Sequence, residues 1–154
     1  MAVKTSSGSC EFHLIFMELR VALIILYDTD GKILLQQRTN DAKVLPGYWG
    51  FFGGSIDNGE TPEQAVRRET MEELNYDLKN EKLFIEQNFR FLNAEGHMYL
   101  FIAPLFGDKS SLSLNEGQGW GWFCSSEVDN LNMLEHDKQI ASRVLEYLDE
   151  SKSH

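Results

Sequence analysis

Cysteine is scarce in this chain: two residues in 154, Cys10 and Cys124. They form neither a disulfide framework nor a metal-ligand spacing, so reduced, ordinary thiols are expected, with Cys124 a buried or half-buried strand residue. Positive charge is also short. Fourteen Lys and Arg stand against 24 Asp and Glu, a formal net charge of −10. That balance argues against a basic surface that grips a long nucleic acid. It leaves room for a small phosphate substrate, because a bound divalent cation inverts the local field. Long apolar runs are missing as well. The stretch from Phe12 to Tyr27 is broken by His13, Glu18 and Arg20 and is too short and too charged to span a bilayer. The opening residues MAVKTSSGSCEF lack the apolar h-region of a secretory signal. A cytoplasmic protein without membrane contact is therefore expected. No repeat or linker interrupts the chain, which reads as a flexible N-terminus over 1–9 and a single domain over 10–154.

What remains is an ordinary globular composition, 42% hydrophobic and 25% charged, enough to build a core without staples. Met17 to Tyr27 is rich in Leu, Ile and Val and reads as a buried strand. Asp28-Thr29-Asp30-Gly31 reads as a tight turn that hands the chain to a hairpin partner over Lys32 to Arg38. Asn40 to Trp49 is a loop around Pro46-Gly47, and Gly50 to Ile56 a short strand or a strand-to-loop passage. Thr61 to Leu74 is the clearest helix: Thr61 suits the N-cap, Pro62 the first turn, and Gln64 completes a capping box. Leu83 to Leu92 and His97 to Leu105 read as antiparallel strands, Lys109 to Gly119 as a polar loop, and Trp120 to Cys124 as a last strand. Ile140, Ala141, Val144, Leu145 and Leu148 recur at helical spacing within His136 to Leu148. The element order points to an α/β fold, a curved mixed sheet flanked by two helices.

The helix after Thr61 carries an unusual load. Each residue advances the azimuth by about 100°, so relative to Glu69 the side chain of Glu72 lies near −60° and that of Glu73 near +40°. Three carboxylates crowd one sector close to a helix C-terminus, where like-charge repulsion and the macrodipole both oppose them. A hard divalent cation accounts for such a cluster, since Mg2+ takes carboxylate oxygens and substrate phosphate oxygens together. A glutamate-rich solvent face, with Arg67 and Arg68 as surface partners, accounts for it too. On the opposite side Val66, Thr70, Met71 and Leu74 are expected to pack into the core and hold the carboxylates still.

The stretch from Gly54 to Tyr76 resembles the box of the Nudix hydrolase family (MutT-like): Gly, five residues, Glu, seven residues, Arg-Glu, an apolar residue, any residue, Glu-Glu, any residue, Gly, an apolar residue. Gly54, Glu60, Arg68-Glu69, Glu72-Glu73 and Tyr76 fall at the required places. Trp49-Gly50-Phe51-Phe52-Gly53-Gly54 resembles the usual lead-in, and Leu34 to Arg38 the preceding strand. Three positions depart. Thr70 stands for a larger apolar residue, Phe52 for a frequent proline, and Asn75 for the last glycine, where Asn best tolerates the left-handed conformation.

The resemblance implies a Nudix-like α/β/α sandwich and metal-dependent hydrolysis of a diphosphate bond in a nucleoside triphosphate, nucleotide sugar or dinucleotide, with Mg2+ or alternatively Mn2+. It implies Glu69, Glu72, Glu73 and the Gly54 carbonyl as metal ligands, and a Glu60–Arg68 pair that ties the loop to the helix and orients Glu69. Glu116, in the loop before the last strand, is implied as a further ligand or as the base, in competition with Glu69 and Glu73. For substrate contacts the residues themselves nominate aromatic faces, Phe51 and Trp120 among Phe12, Phe52 and Trp122, and the polar Arg38 and His97. Alternation puts Trp120 and Trp122 on one side of their strand, to serve as core or as substrate platform. Rival readings are an oxidised-nucleotide (8-oxo-dGTP-type) pyrophosphohydrolase, a nucleotide sensor with a retired site, an RNA-end pyrophosphatase and an isoprenoid diphosphate isomerase. The expected partner is a small phosphorylated substrate, and the resemblance implies a homodimer as the expectation for assembly.

Overall fold

The computed structural model describes residues 2–3, 13–14, 19–91, 93–115 and 119–152. Ala2–Val3 (β1) pairs antiparallel with His13–Leu14 (β2) as a separate two-stranded sheet. The main sheet is built around β3 (Leu19–Tyr27). This strand runs parallel to β8 (Ala94–Pro104) for its whole length, and β8 pairs antiparallel with β7 (Lys82–Phe91). On its other side β3 meets β6 (Phe52–Ser55). β4 (Ile33–Gln37) carries β5 (Trp49–Gly50) and β9 (Gly119–Phe123). The helices are α1 (Pro62–Leu74), the short α2 (Ser125–Val128) and α3 (Glu135–Lys152).

The sheet is mixed and buried on both faces, which is why β3 reads as a continuous apolar run and not as an alternating one. Its alternation is nevertheless visible in the packing. Ala22, Ile24 and Leu26 join Phe52, Ala65, Val66, Leu74 and Phe101 beneath α1. Ile25, with Val21 and Leu23 at its margin, joins Leu35, Leu100, Ile140, Val144 and Leu148 beneath α3. The result is the mixed sheet between helices that the element order implied, and the α/β/α sandwich that the resemblance implied.

One expectation needs correction. The turn after Tyr27 forms as read, with Gly31 at φ 79° and Asp28 Oδ1 accepting from the amides of Asp30 and Lys32. Yet β3 and β4 pair only at Tyr27 and Ile33 and then part. β6 takes the place beside β3, while β5 and β9 take both sides of β4. A two-residue signal at a turn sets only the first pair; everything beyond it is decided by which strands arrive from elsewhere. The sheet therefore opens into two arms, and the candidate site lies where they diverge.

Helix α1 is capped as its sequence requires. Thr61 is extended, its hydroxyl accepts from the Gln64 amide at 3.1 Å, and the Gln64 side chain accepts from the Thr61 amide at 2.9 Å. A cap of this kind contributes about 1 kcal/mol. At the other end Asn75 adopts φ 52°, ψ 41° and returns its N–H to Met71 O. The next three carbonyls are met by the loop before β9: Glu72 O by Asn115 Nδ2, Glu73 O by Asn115 N, and Leu74 O by Ser113 N. All four carbonyls that a helix leaves orphaned thus have donors. Thr70 is fully buried and its hydroxyl donates to Val66 O at 2.6 Å, so the departure from an apolar residue leaves no unsatisfied polar atom there.

Candidate functional site

The three glutamates of α1 share a sector but not an environment. The buried arc of the helix runs from about −40° at Ala65 to about 140° at Leu74 on the scale that places Glu69 at zero, with Val66 and Thr70 between them. Glu73, near +40°, falls inside this arc and is 4% exposed. Glu69, at zero, also falls inside it with a side chain 17% exposed, and Glu72, near about −60°, faces solvent at 58%. Met71, expected in the packed arc, is 44% exposed. Its azimuth, about 200°, carries it past the edge of the buried face, and Glu73 takes the inner position instead.

Two glycines make room for these carboxylates. Glu73 Oε1 accepts the Gly53 N–H at 2.9 Å. The carboxylate of Glu69 lies directly on Gly54, where a Cβ would come within 2.6–2.9 Å of its three carboxyl atoms. A side chain at 54 would therefore displace the carboxylate, and the Gly53-Gly54 step is exposed to both acids. Gly53 itself sits at φ 133°, a conformation that L side chains rarely adopt.

Arg68 organises the rest. Its Nε donates to Glu60 Oε2 at 2.8 Å and its Nη2 to Glu60 Oε1 at 3.0 Å, the two-pronged geometry that guanidinium and carboxylate favour. Nη2 also donates to Ser55 O at 3.0 Å, and Nη1 to Glu69 Oε1 at 2.9 Å and Glu72 Oε2 at 3.5 Å. Glu60 accepts the Asp57 amide at 3.0 Å. One cation thus clamps the loop 55–60 to α1 and holds Glu69 in place.

The Arg68 hydrogen bonds, then the Asp57 amide, hold the Glu60 carboxyl at about 2, below its ordinary 4.5. A carboxylate whose folded pKa is depressed stabilises the fold above its unfolded pKa and loses that contribution as pH falls through the folded one. The melting-temperature gap between the native protein and Glu60→Gln is therefore expected to be full above pH 4.5, to shrink on acidification and to close near pH 2. Thermal melts across that window test it; a gap that stays constant would mean that the pair contributes nothing through its charge.

The chemistry of this donor set fits a hard divalent cation: carboxylate oxygens from Glu69, Glu72 and Glu73 beside the Gly53-Gly54 backbone, and no soft ligand among them. Among the described residues no three His, Cys, Asp or Glu side chains are gathered into a ready-made cage. Glu69 and Glu72 turn toward Arg68, while Glu73 turns toward Gly53. Glu116 lies outside the described residues.

Three residues upstream of Gly54, the parting of the sheet opens a cleft of about 210 Å³ lined by Gln36, Arg38, Trp49, Phe51, Leu134 and Asp137 among others. It brings together two of the residues nominated for substrate contact, Arg38 and Phe51. Gln36 Nε2 donates to Phe51 O at 2.9 Å, and Arg38 Nε to Val44 O at 2.8 Å, so both polar side chains are braced. Trp49 is fixed by its backbone N–H donating to Asn132 O at 2.9 Å and by edge contact of its ring with Phe123 at 4.9 Å between centroids. Burial raises the Asp137 carboxyl above its ordinary range, against the opposing pull of His136. Neither Trp49 nor Asp137 was nominated from the sequence. Asp137 reads there as an ordinary acid in the first turn of α3, and only the approach of that turn to Trp49 and Phe51 gives it a cleft to face.

The other two nominees lie elsewhere. Trp120, with Trp122, packs against the core beneath α1. His97 sits on β8 with its ring nitrogens at 2.6 Å from Asn88 Oδ1 and 3.0 Å from Glu86 Oε1. A larger groove of about 400 Å³ between the Asp28–Gly31 turn and the end of α3 shares no residue with the carboxylate face or the cleft.

Comparison with known proteins follows the same lines. A family profile described as NUDIX domain matches residues 17–146. The "Nucleoside triphosphatase NudI" of Escherichia fergusonii is 39% identical over 137 residues, covering 82% of this chain and 94% of that protein. The protein of the same description from Escherichia coli O139:H28 is 41% identical over 58 residues, 38% of this chain; over that alignment the chain spans only 41% of the relative's length. The structure of a MutT protein from Methanosarcina mazei Go1 superimposes with a TM-score of 0.70 at 17% identity, covering 89% of this chain and 96% of that one, a likeness of fold.

Proposed function

Since the chain belongs to the NUDIX domain family, we propose that it is a Mg2+-dependent hydrolase of a diphosphate bond in a nucleoside diphosphate derivative, with Mn2+ as an alternative ion. The observation that carries this reading is the seating of Glu69 and Glu73 against Gly54 and Gly53, one short stretch of strand from an aromatic cleft. Three extended residues span about 10 Å, the order of the reach from a nucleobase to its phosphates.

In this proposal Glu69, Glu72, Glu73 and the Gly54 carbonyl hold the ion. When bound, it supplies neutralisation of phosphate charge and a lowered pKa for an attacking water. The chain's own residues do the rest. Arg68, fixed by Glu60, keeps Glu69 oriented, a supporting role that metal sites commonly need. Glu69 and Glu73, with Glu116, are the groups from which the proton acceptor is drawn. Arg38 meets a phosphate at the mouth of the cleft, and Phe51 and Trp49 offer faces to a flat base. Water adds to one phosphorus, the bridging P–O bond breaks, and the leaving oxygen departs as phosphate or phosphomonoester. The description of the Escherichia relatives supports a nucleoside triphosphate as the first substrate to try, with nucleoside monophosphate and pyrophosphate as products.

The test is incubation with Mg2+ and a panel of nucleoside triphosphates, oxidised triphosphates, nucleotide sugars and dinucleotides, resolving both products. Turnover abolished by removing the ion supports the reading, and the product pair names the bond. Folded protein that turns over none of the panel, with or without the ion, would favour a sensor. Within the same panel Asp137→Asn is expected to raise KM for the preferred base about ten-fold with little change in kcat, the usual worth of one polar contact to a base. An unchanged order of preference would remove Asp137 from recognition.

A further inference from the structure

The sheet ends at β7, and among the described residues no strand pairs with its outer edge. Edges of this kind invite pairing, and natural proteins blunt them with proline, bulges or isolated charge. Here the register shifts between Leu83 and Ile85, and Lys82 stands at the same end. The seven residues Ile85 to Phe91 form an uninterrupted strand without proline.

Their order is its own complement. Reversed about Asn88, the strand sets Glu86 opposite Arg90 and Arg90 opposite Glu86. The same reversal sets Ile85 opposite Phe91 and Gln87 opposite Phe89. The two sets point to different faces: Ile85 and Phe89 pack on the α3 side, whereas Glu86 and Asn88 meet His97 on the other. An antiparallel copy would thus place two ion pairs and an Asn–Asn contact on one face, and Ile85 against Phe91 and Gln87 against Phe89 on the other; the ion pairs and the Ile–Phe pairs are cross-strand combinations that stabilise sheets. Reciprocal contact of this kind is what a two-fold interface requires.

The charged partners within the chain do not use these side chains up. Arg90 pairs with Glu95 and Glu86 with His97, yet Arg90 remains 75% exposed and Glu86 48%. Both stand on the outermost strand, within reach of a strand laid alongside.

We propose that β7 is the interface of a homodimer, pairing antiparallel with β7 of a second copy about Asn88 and extending the sheet across both protomers. This assembly is independent of the reaction proposed above, and its test reads mass, not turnover.

Sedimentation velocity of the full chain across the micromolar range should show a monomer–dimer equilibrium. Arg90→Glu, which creates two like-charge contacts by symmetry, should weaken it about ten-fold or more, and Glu86→Arg should do the same. The double variant Glu86→Arg/Arg90→Glu restores opposite charges across the interface while disturbing both pairs within the chain, and should dimerise again. Circular dichroism of each variant separates a lost dimer from a lost fold. A wild-type chain that stays monomeric, a dimer indifferent to Arg90→Glu and Glu86→Arg, or a double variant that fails to recover while folded would each overturn the proposal.

Discussion

Replacing Glu73 by Gln is expected to lower kcat for diphosphate hydrolysis by about a thousandfold while the fold survives, equivalent to about 4 kcal/mol of transition-state stabilisation. The size follows from position. Glu73 is the most buried of the three acids, and its Oε1 is held by the Gly53 N–H, so its charge is presented in a fixed direction and a low-dielectric setting. Gln keeps an oxygen for that hydrogen bond and nearly the same volume, so the change removes charge and little else. Glu72→Gln offers the contrast. Its side chain is largely solvated and reaches Arg68 only at 3.5 Å, so a smaller loss is expected. Steady-state kinetics with Mg2+ titrations of each variant provide the measurement, alongside melting curves. A Glu73→Gln variant with native kcat would remove Glu73 from the ion site.

Gly53→Ala should be a severely damaging single methyl, combining a backbone clash with an unfavourable φ. The Cβ would stand 2.2 Å from the carbonyl oxygen of Ala22 and 2.8 Å from Leu23 Cα, both backbone atoms of the central strand, at φ 133°. Neither neighbour can move without breaking the β3–β6 register. A loss of roughly 3 kcal/mol or more is expected, or a fall in melting temperature of about 6–12 °C. Two nearby glycines serve as controls. Gly50 has open space where a Cβ would stand, so Gly50→Ala should leave the melting temperature nearly unchanged. Gly54→Ala would press on the Glu69 carboxylate, which is the end of a side chain and can yield, so its loss should appear in activity before stability. Melting curves for the three variants decide the matter; equal effects at 50 and 53 would contradict the backbone conformation described for Gly53.

The features legible in advance are those that close within a few residues. The Thr61-Pro62-Gln64 cap, the Asn75 left-handed turn and the Asp28–Gly31 turn each depend on atoms close along the chain, and each forms as its residues require. The same holds for the Glu60–Arg68 clamp, since the spacing of the box brings a loop end back onto the second turn of its own helix. The Leu74 and Val66 side of α1 was readable from periodicity, but Met71 was not, because a stripe of apolar residues is wider than the ridge that the sheet covers.

Sequence alone therefore determined the family, the helix that bears the acids and its two ends, through local hydrogen bonding and fixed spacing. The tertiary structure decided what distinguishes one acid from another and what lies beside them. Glu73 is buried and Glu72 exposed because β6 and β3 press on one flank of α1. The cleft exists because β3 and β4 part after a single pair, drawing Gln36, Phe51, Trp49 and Asp137 together from separate parts of the chain. Such a meeting depends on which strands win each edge, a competition among residues tens of positions apart that no local preference records.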